Sequence, residues 1–86
     1  MSRKRFEDRI NFRNYETALL AFSNEFGFFP TGSNRTVTAA LVGENSDRKS
    51  FLRLPAKGTN KRGEFVDSTG KPYDIHVTSN QVHITP

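Results

Sequence analysis

The chain has 86 residues, with 13 lysines and arginines, 9 aspartates and glutamates, and no cysteine. A chain of this length forms one domain, and the lack of cysteine excludes disulfides, thiolate metal sites and a cysteine nucleophile. Five basic and two acidic residues lie within residues 1–13, so the positive excess belongs to the N-terminal end, and the rest of the chain is close to neutral.

A long amphipathic helix is predicted over residues 4–26. Apolar side chains recur at spacings of three and four residues from Phe12 to Phe26, which places them on one helical stripe. Phe6 and Ile10 extend a looser version of this stripe backward. Gly27 supplies the C-cap, and Pro30 prevents the helix from resuming. We expect the phenylalanines around this stop to form the core between helix and sheet: Phe22, Phe26 and Phe29.

Residues 27–62 are predicted to form a connecting loop with one short helix. Asn34 is the expected N-cap of this helix and Gly43 its end. Residues 63–85 are predicted to form strands and a hairpin, beginning with "EFVD" and continuing with the alternating segments "YDIHV" and "QVHIT".

The two alternating segments fix a hairpin register. If Ser79 and Asn80 are the central residues of the turn, Val77 opposes Val82, and Ile75 opposes Ile84 in the same way. The predicted fold is therefore α+β: a single domain in which a long helix packs on a small C-terminal antiparallel sheet.

Two motifs resemble the globular part of type IV pilin-like proteins, and most closely the major pseudopilin of type II secretion systems. The helix ends in "ETALLAFSNEFGFFPT", and "LRLP" and "DSTGKPYDI" follow downstream in matching order. The family's proline and tryptophan are Ser68 and Thr69 here. The residues that match the family pattern are Gly27, Phe29, Pro30, Thr31, Asp67, Gly70, Pro72 and Tyr73.

The resemblance implies a structural subunit of a secretion pseudopilus or related pilus-like filament, without small-molecule substrate. Its partners are then other pseudopilin subunits and the secretion machinery, and its location the periplasmic face of the inner membrane. Membrane attachment is expected only through a hydrophobic helix upstream of residue 1. Contacts are expected on the exposed face of the long helix and on the loops around 43–50 and 56–72.

The resemblance also implies a calcium ion near the last strands, and otherwise no cofactor. The local oxygen donors are Glu64, Asp67 and Asp74. The alternative is that these are solvated loop charges and that Asp67 closes an Asx-type turn. Four cations in the same stretch oppose a dication: Lys57, Lys61, Arg62 and Lys71.

A transition-metal site is a second hypothesis. In the predicted register His76 opposes His83, with Asp74 on the same face, and two imidazoles and a carboxylate can hold such a metal. The alternative is that these polar residues simply occupy the exposed face of the hairpin.

No enzymatic activity is expected. The chain has no glycine-rich phosphate loop, no metal-protease spacing and no recognisable nucleophile context. It also has no run of about 20 apolar residues, so we expect the chain as given to be soluble.

The alternative function is a small basic module that binds nucleic acid through its N-terminal helix. Against this reading, Glu7 and Asp8 interrupt the basic run, and Arg9 or Arg13 can pair with acids one helical turn away.

Overall fold

The structure, a computed structural model, describes residues 3–85 of the chain and confirms the predicted α+β class. The helices and strands are α1 (Arg3–Phe26), β1 (Gly32–Ser33), α2 (Asn34–Leu41), β2 (Asp74–Val77) and β3 (Val82–Thr85), with a 3-10 turn at Ala56–Gly58. At about 1.5 Å per residue α1 is about 36 Å long. The longest dimension of the molecule is 38 Å, so α1 runs from one end of the fold to the other.

The sheet has the order β1-β2-β3 and is antiparallel throughout. Val77 lies opposite Val82 and Ile75 opposite Ile84, so the predicted hairpin register is confirmed. The Thr78 N–H donates to the Gln81 carbonyl over 2.8 Å, which closes the two-residue turn. The inner side chains of β2 are buried, whereas β3 is an edge strand whose inner side chains are only partly covered.

Two parts of the strand prediction were wrong. The segment "EFVD" forms no regular strand, because Phe65 and Val66 each make only an isolated bridge, to Thr59 and Pro72. Conversely, Gly32–Ser33 pairs with the end of β2 as the first strand. A two-residue strand shows no alternation in sequence, and only the tertiary fold brings it to β2.

Asn34 is not the N-cap of α2. Ser33 occupies that position with φ −88° and ψ 178°, and α2 begins at Asn34. The Asn34 side chain is instead buried, 4% exposed, against the segment that precedes β2. Its Oδ1 accepts the Phe65 N–H over 2.6 Å, and its Nδ2 donates to the Phe65 and Tyr73 carbonyls over 2.9 Å each.

A chain of hydroxyl groups connects Asn34 to α1. The Thr38 hydroxyl donates to Asn34 Oδ1 over 3.0 Å, and it lies 2.8 Å from the Tyr15 hydroxyl. Because the Thr38 proton is already used, the Tyr15 hydroxyl is the donor in the second bond. Burial, opposed by this hydrogen bond, raises the pKa of Tyr15 to about 12. Tyr15 therefore stays neutral and keeps this bond through the physiological pH range.

Aromatic rings form the centre of the core. The Tyr15 and Phe65 rings stack with centroids 4.5 Å apart, and Phe65 stacks on Tyr73 at the same distance. Phe12 covers the outer side of Tyr73 at 5.5 Å. This column of four rings joins α1 to the segment between the 3-10 turn and β2, where regular strand pairing is absent.

A second aromatic cluster closes the C-terminal end of α1. The Phe22 ring is buried and lies 4.5 Å from Phe26 and 5.4 Å from Phe51. Phe28 folds back over the last turn, 5.9 Å from Phe22. The chain reverses at Gly27, whose φ of +80° is left-handed as predicted for a C-cap.

The other residues of the two motifs lie close to this framework. Phe29 is half-buried against the core, and Pro30 and Tyr73 are buried. Gly70 has φ +87° in the turn before β2, and Pro72 is exposed beside its bridge to Val66.

Replacing Asn34 by Ala is expected to lower the free energy of unfolding by about 3 kcal/mol or more, since buried backbone groups lose their partners. The matched control is Asn45→Ala. Asn45 also makes three hydrogen bonds to backbone groups, but two of them are exposed, where water can replace them, and the expected loss is about 1 kcal/mol. Urea unfolding of both variants measures the difference, and equal losses would contradict the role of Asn34.

Replacing Phe22 by Ala is expected to cost about 3 to 5 kcal/mol, the usual range for removing a buried phenylalanine ring. Leu20→Ala, two residues away on the exposed side of α1, is expected to change stability by less than about 0.5 kcal/mol. Both values come from chemical unfolding. A loss below about 1 kcal/mol for Phe22→Ala would refute its place in the core.

Candidate functional site

The outer face of the β2–β3 hairpin carries the predicted histidine pair. His76 lies directly opposite His83, with ring centroids 6.4 Å apart. The Asp74 carboxylate lies between them, with Oδ1 3.0 Å from His76 Nε2 and Oδ2 3.7 Å from His83 Nε2. All three side chains are exposed. The predicted juxtaposition is confirmed, and transition-metal binding by these groups stays a prediction.

Asp67 closes the turn that precedes β2. Its Oδ1 accepts the Thr69 N–H at 2.9 Å, the Thr69 hydroxyl at 2.6 Å and the Lys71 N–H at 3.0 Å. This is the Asx-type turn that the sequence analysis named as the alternative to calcium coordination. The hydrogen bond from the Thr69 hydroxyl is the largest of several causes that lower the pKa of Asp67 below its usual value.

The three carboxylates predicted to bind calcium have separate environments. Glu64 accepts a hydrogen bond from Asn60 in a different turn, at 2.9 Å, while Asp67 is held in its own turn and Asp74 lies beside the histidines. Within residues 3–85 no group of three or more carboxylate or imidazole side chains has the arrangement of a metal site. The structure does not bring the predicted ligands together, and calcium binding stays a prediction.

The two residues that depart from the pseudopilin pattern both act as hydrogen-bond donors. Ser68 donates its N–H and its hydroxyl to the two carboxylate oxygens of Asp8, over 2.8 and 2.9 Å. A proline at this position has no N–H to donate. Thr69 donates to Asp67 in the same turn. The turn is therefore tied to the first half of α1 by polar contacts.

This contact was not predicted from the sequence, because 60 positions separate Asp8 from Ser68. Burial first, and then the nearby charges of Asp8 and Asp67, raise the pKa of Tyr73 above its usual value.

α1 also exposes three large apolar side chains on the side that does not face the core, where Arg13 lies between Ile10 and Leu20. Phe6, Ile10 and Leu20 are 55%, 43% and 60% exposed. At about 100° per residue these three side chains lie within about 80° of one another, on the side of the helix opposite Tyr15. The expectation that Phe6 and Ile10 extend the core stripe was therefore wrong. We call these three residues the outer stripe.

An apolar groove of about 300 Å³ adjoins the outer stripe, where α1 passes the edge strand β3. Leu20 and Val82 line its two sides, and Phe29 and Ile84 contribute to its floor. Arg9 and Arg13 are exposed on the same helix. Neither forms an ion pair with any carboxylate in residues 3–85, so the pairing expected from sequence is not observed.

No helix within the described residues is long and apolar enough to cross a lipid bilayer. No family model, curated protein or solved structure matches this chain.

Removing the Asp67 carboxylate in Asp67→Ala is expected to lower the melting temperature at pH 7. Because the folded-state pKa is lowered, Asp67 stabilises the fold above its unfolded value of about 4, and this contribution is lost as the pH falls through the folded value. The difference in melting temperature between Asp67→Ala and the wild type should therefore shrink towards pH 2. The control is Asp67→Asn, which keeps a side-chain acceptor. Its melting temperature at pH 7 should fall less than that of Asp67→Ala. Thermal melts at several pH values measure this, and a pH-independent difference would contradict it.

Proposed function

We propose that this chain is the globular part of a structural subunit of a pilin-like filament, of the kind represented by the major pseudopilin of type II secretion systems. The motifs around Gly27 and Asp67 support this proposal from sequence. The long helix that spans the fold and packs on a small antiparallel sheet is the architecture that the resemblance implies.

The outer stripe is the observation that carries the proposal. A helix of a small domain normally presents one apolar face, which packs on its own core. α1 uses the side that contains Tyr15 for this purpose, yet it also exposes large apolar side chains on the opposite side. Exposed apolar side chains that share one face can mark a contact surface, and we infer that the second partner of α1 is another molecule. A filament in which long helices pack side by side supplies such a partner.

The substitutions at Ser68 and Thr69 are compatible with this proposal. The turn before β2 keeps the predicted Asp67 and Gly70, and the hydrogen bond from Ser68 to Asp8 fixes the turn on α1. The turn therefore has a defined structure although Ser68 and Thr69 replace the family's proline and tryptophan, because hydrogen bonds to Asp8 and Asp67 hold it in place.

The outer stripe is tested by adding charge to it. In the protein produced in its own host, Ile10→Arg combined with Leu20→Arg is expected to reduce the recovery of cross-linked subunit multimers at least about tenfold, because a buried charge without a partner is costly. Asn14→Arg adds one positive charge, half the change of the double variant, at an exposed position of α1 outside the outer stripe and should leave assembly unchanged. Chemical cross-linking of whole cells followed by immunoblotting measures the recovery.

Both variants are expected to fold, because all three positions are exposed. Circular dichroism of the isolated chain checks this. Unchanged recovery of cross-linked multimers from a folded double variant would contradict the proposal. The proposal also predicts that the gene encodes an apolar segment of about 20 residues directly upstream of residue 1.

The nucleic-acid alternative is favoured by the unpaired Arg9 and Arg13 on the same helix. Fluorescence anisotropy with a 20-nucleotide DNA at 50 and 200 mM salt separates the two functions. Binding that weakens steeply with salt and is lost in Arg9→Ala with Arg13→Ala would support the alternative. A filament subunit is expected to show little binding at either salt concentration.

A further inference from the structure

A cleft of about 590 Å³ lies between α2 and the segment of residues 52–63. Its apolar lining includes Val42, which is exposed at the end of α2, and Leu54, which is half-buried. Four cationic side chains surround this apolar lining: Arg35, Arg53, Lys61 and Arg62. We call these four residues the basic rim.

Folding creates this concentration of positive charge. The basic rim comes from α2 and from two places in the long connection that follows it, so the sequence shows no basic run there. Glu44 is the one acidic residue among those that line the cleft. None of the four cations lies within ion-pair distance of a carboxylate in the part of the chain that the structure describes. Their charge is available to a ligand.

The chemistry of the cleft selects an anionic ligand that also has an apolar part. Guanidinium groups bind carboxylates through paired hydrogen bonds, and the apolar lining accepts an aliphatic side chain. The volume lies in the range of small-molecule pockets, about 300 to 1,000 Å³, so it is large enough for one apolar side chain and its neighbours. We propose that this cleft binds an acidic peptide segment of a partner protein, with one apolar side chain against Val42 and Leu54 and flanking carboxylates on the basic rim.

A nucleic acid fits the cleft less well. The described residues that line it include no aromatic side chain on which a base could stack. The proposal goes beyond helix packing in a filament, because none of the outer-stripe residues lines the cleft. Loss of one activity therefore does not imply loss of the other.

Selection from a library of random 12-residue peptides displayed on phage tests the proposal on the whole chain. Enriched peptides are expected to be acidic and to contain at least one leucine, isoleucine, valine or phenylalanine. Synthetic versions of the best peptides should bind the double variant Arg53→Glu, Lys61→Glu at least about tenfold more weakly, because two attractive charges become repulsive. Arg48→Glu reverses an exposed charge outside the cleft and should keep the affinity within about twofold.

A second comparison tests the apolar lining. Replacing the apolar residue of the best peptide by serine should weaken binding to the wild type at least about fivefold, which distinguishes a fitted side chain from charge attraction alone. Thermal melts confirm that each protein variant is folded.

Several results would overturn the proposal. These are failure to enrich any peptide, enrichment of neutral or basic peptides, and equal affinity of the acidic peptides for wild type and the folded double variant. Binding of a 20-nucleotide single-stranded DNA that displaces the peptide and is lost in the same double variant would instead assign the cleft to nucleic acid.

Discussion

The buried amide of Asn34 supplies hydrogen bonds to a segment that has no regular strand partner. Phe65, Val66 and Tyr73 lie in the core, but only isolated bridges pair the backbone of this segment. A buried peptide group without a partner destabilises the fold. The Asn34 amide accepts the Phe65 N–H and donates to the Tyr73 carbonyl, and it adds a second donor to the Phe65 carbonyl, which also accepts the Tyr73 N–H. The Thr38 hydroxyl uses the remaining capacity of the Asn34 oxygen and itself accepts a hydrogen bond from the Tyr15 hydroxyl. No buried side-chain nitrogen or oxygen among the described residues is left unpaired. Helix α2, helix α1 and the approach to β2 meet at this one side chain.

The hydrogen bonds around Asn34 help to determine which side of α1 faces the core and which side faces the solvent. Tyr15 anchors the middle of the helix through its ring and its hydroxyl, and Asp8 anchors the first half through the turn at Ser68. Both anchors lie on the same side of α1. The opposite side consequently has no partner within the described chain, although it carries the apolar outer stripe. The polar contacts of the core thus leave exposed the surface that we propose for subunit packing.

The sequence predicted the features that depend on local periodicity. The extent of α1 follows from apolar residues spaced three and four apart, and the pairing of His76 with His83 follows from alternation in the two strands. The left-handed Gly27 follows from a glycine placed directly after the last helical residue. Asn34 could not be predicted in the same way, because an asparagine before an apolar run normally suits a helix N-cap. Its burial depends on backbone groups 31 and 39 positions away. The basic rim and the contact between Asp8 and Ser68 could not be predicted for the same reason, because each brings together distant parts of the chain.

The two proposed contact surfaces depend on different forces. Packing of the outer stripe removes apolar area from water, and this contribution is maintained or strengthened when salt is added. Attraction of an acidic segment to the basic rim is electrostatic, and ions screen it over a Debye length of about 8 Å at physiological ionic strength. A partner at the cleft can therefore dissociate when the salt concentration rises or when its own charge is reduced. Packing of the outer stripe persists under the same conditions. In a filament of such subunits, the outer stripe would hold the assembly together and the cleft would be free to bind and release acidic segments on its surface.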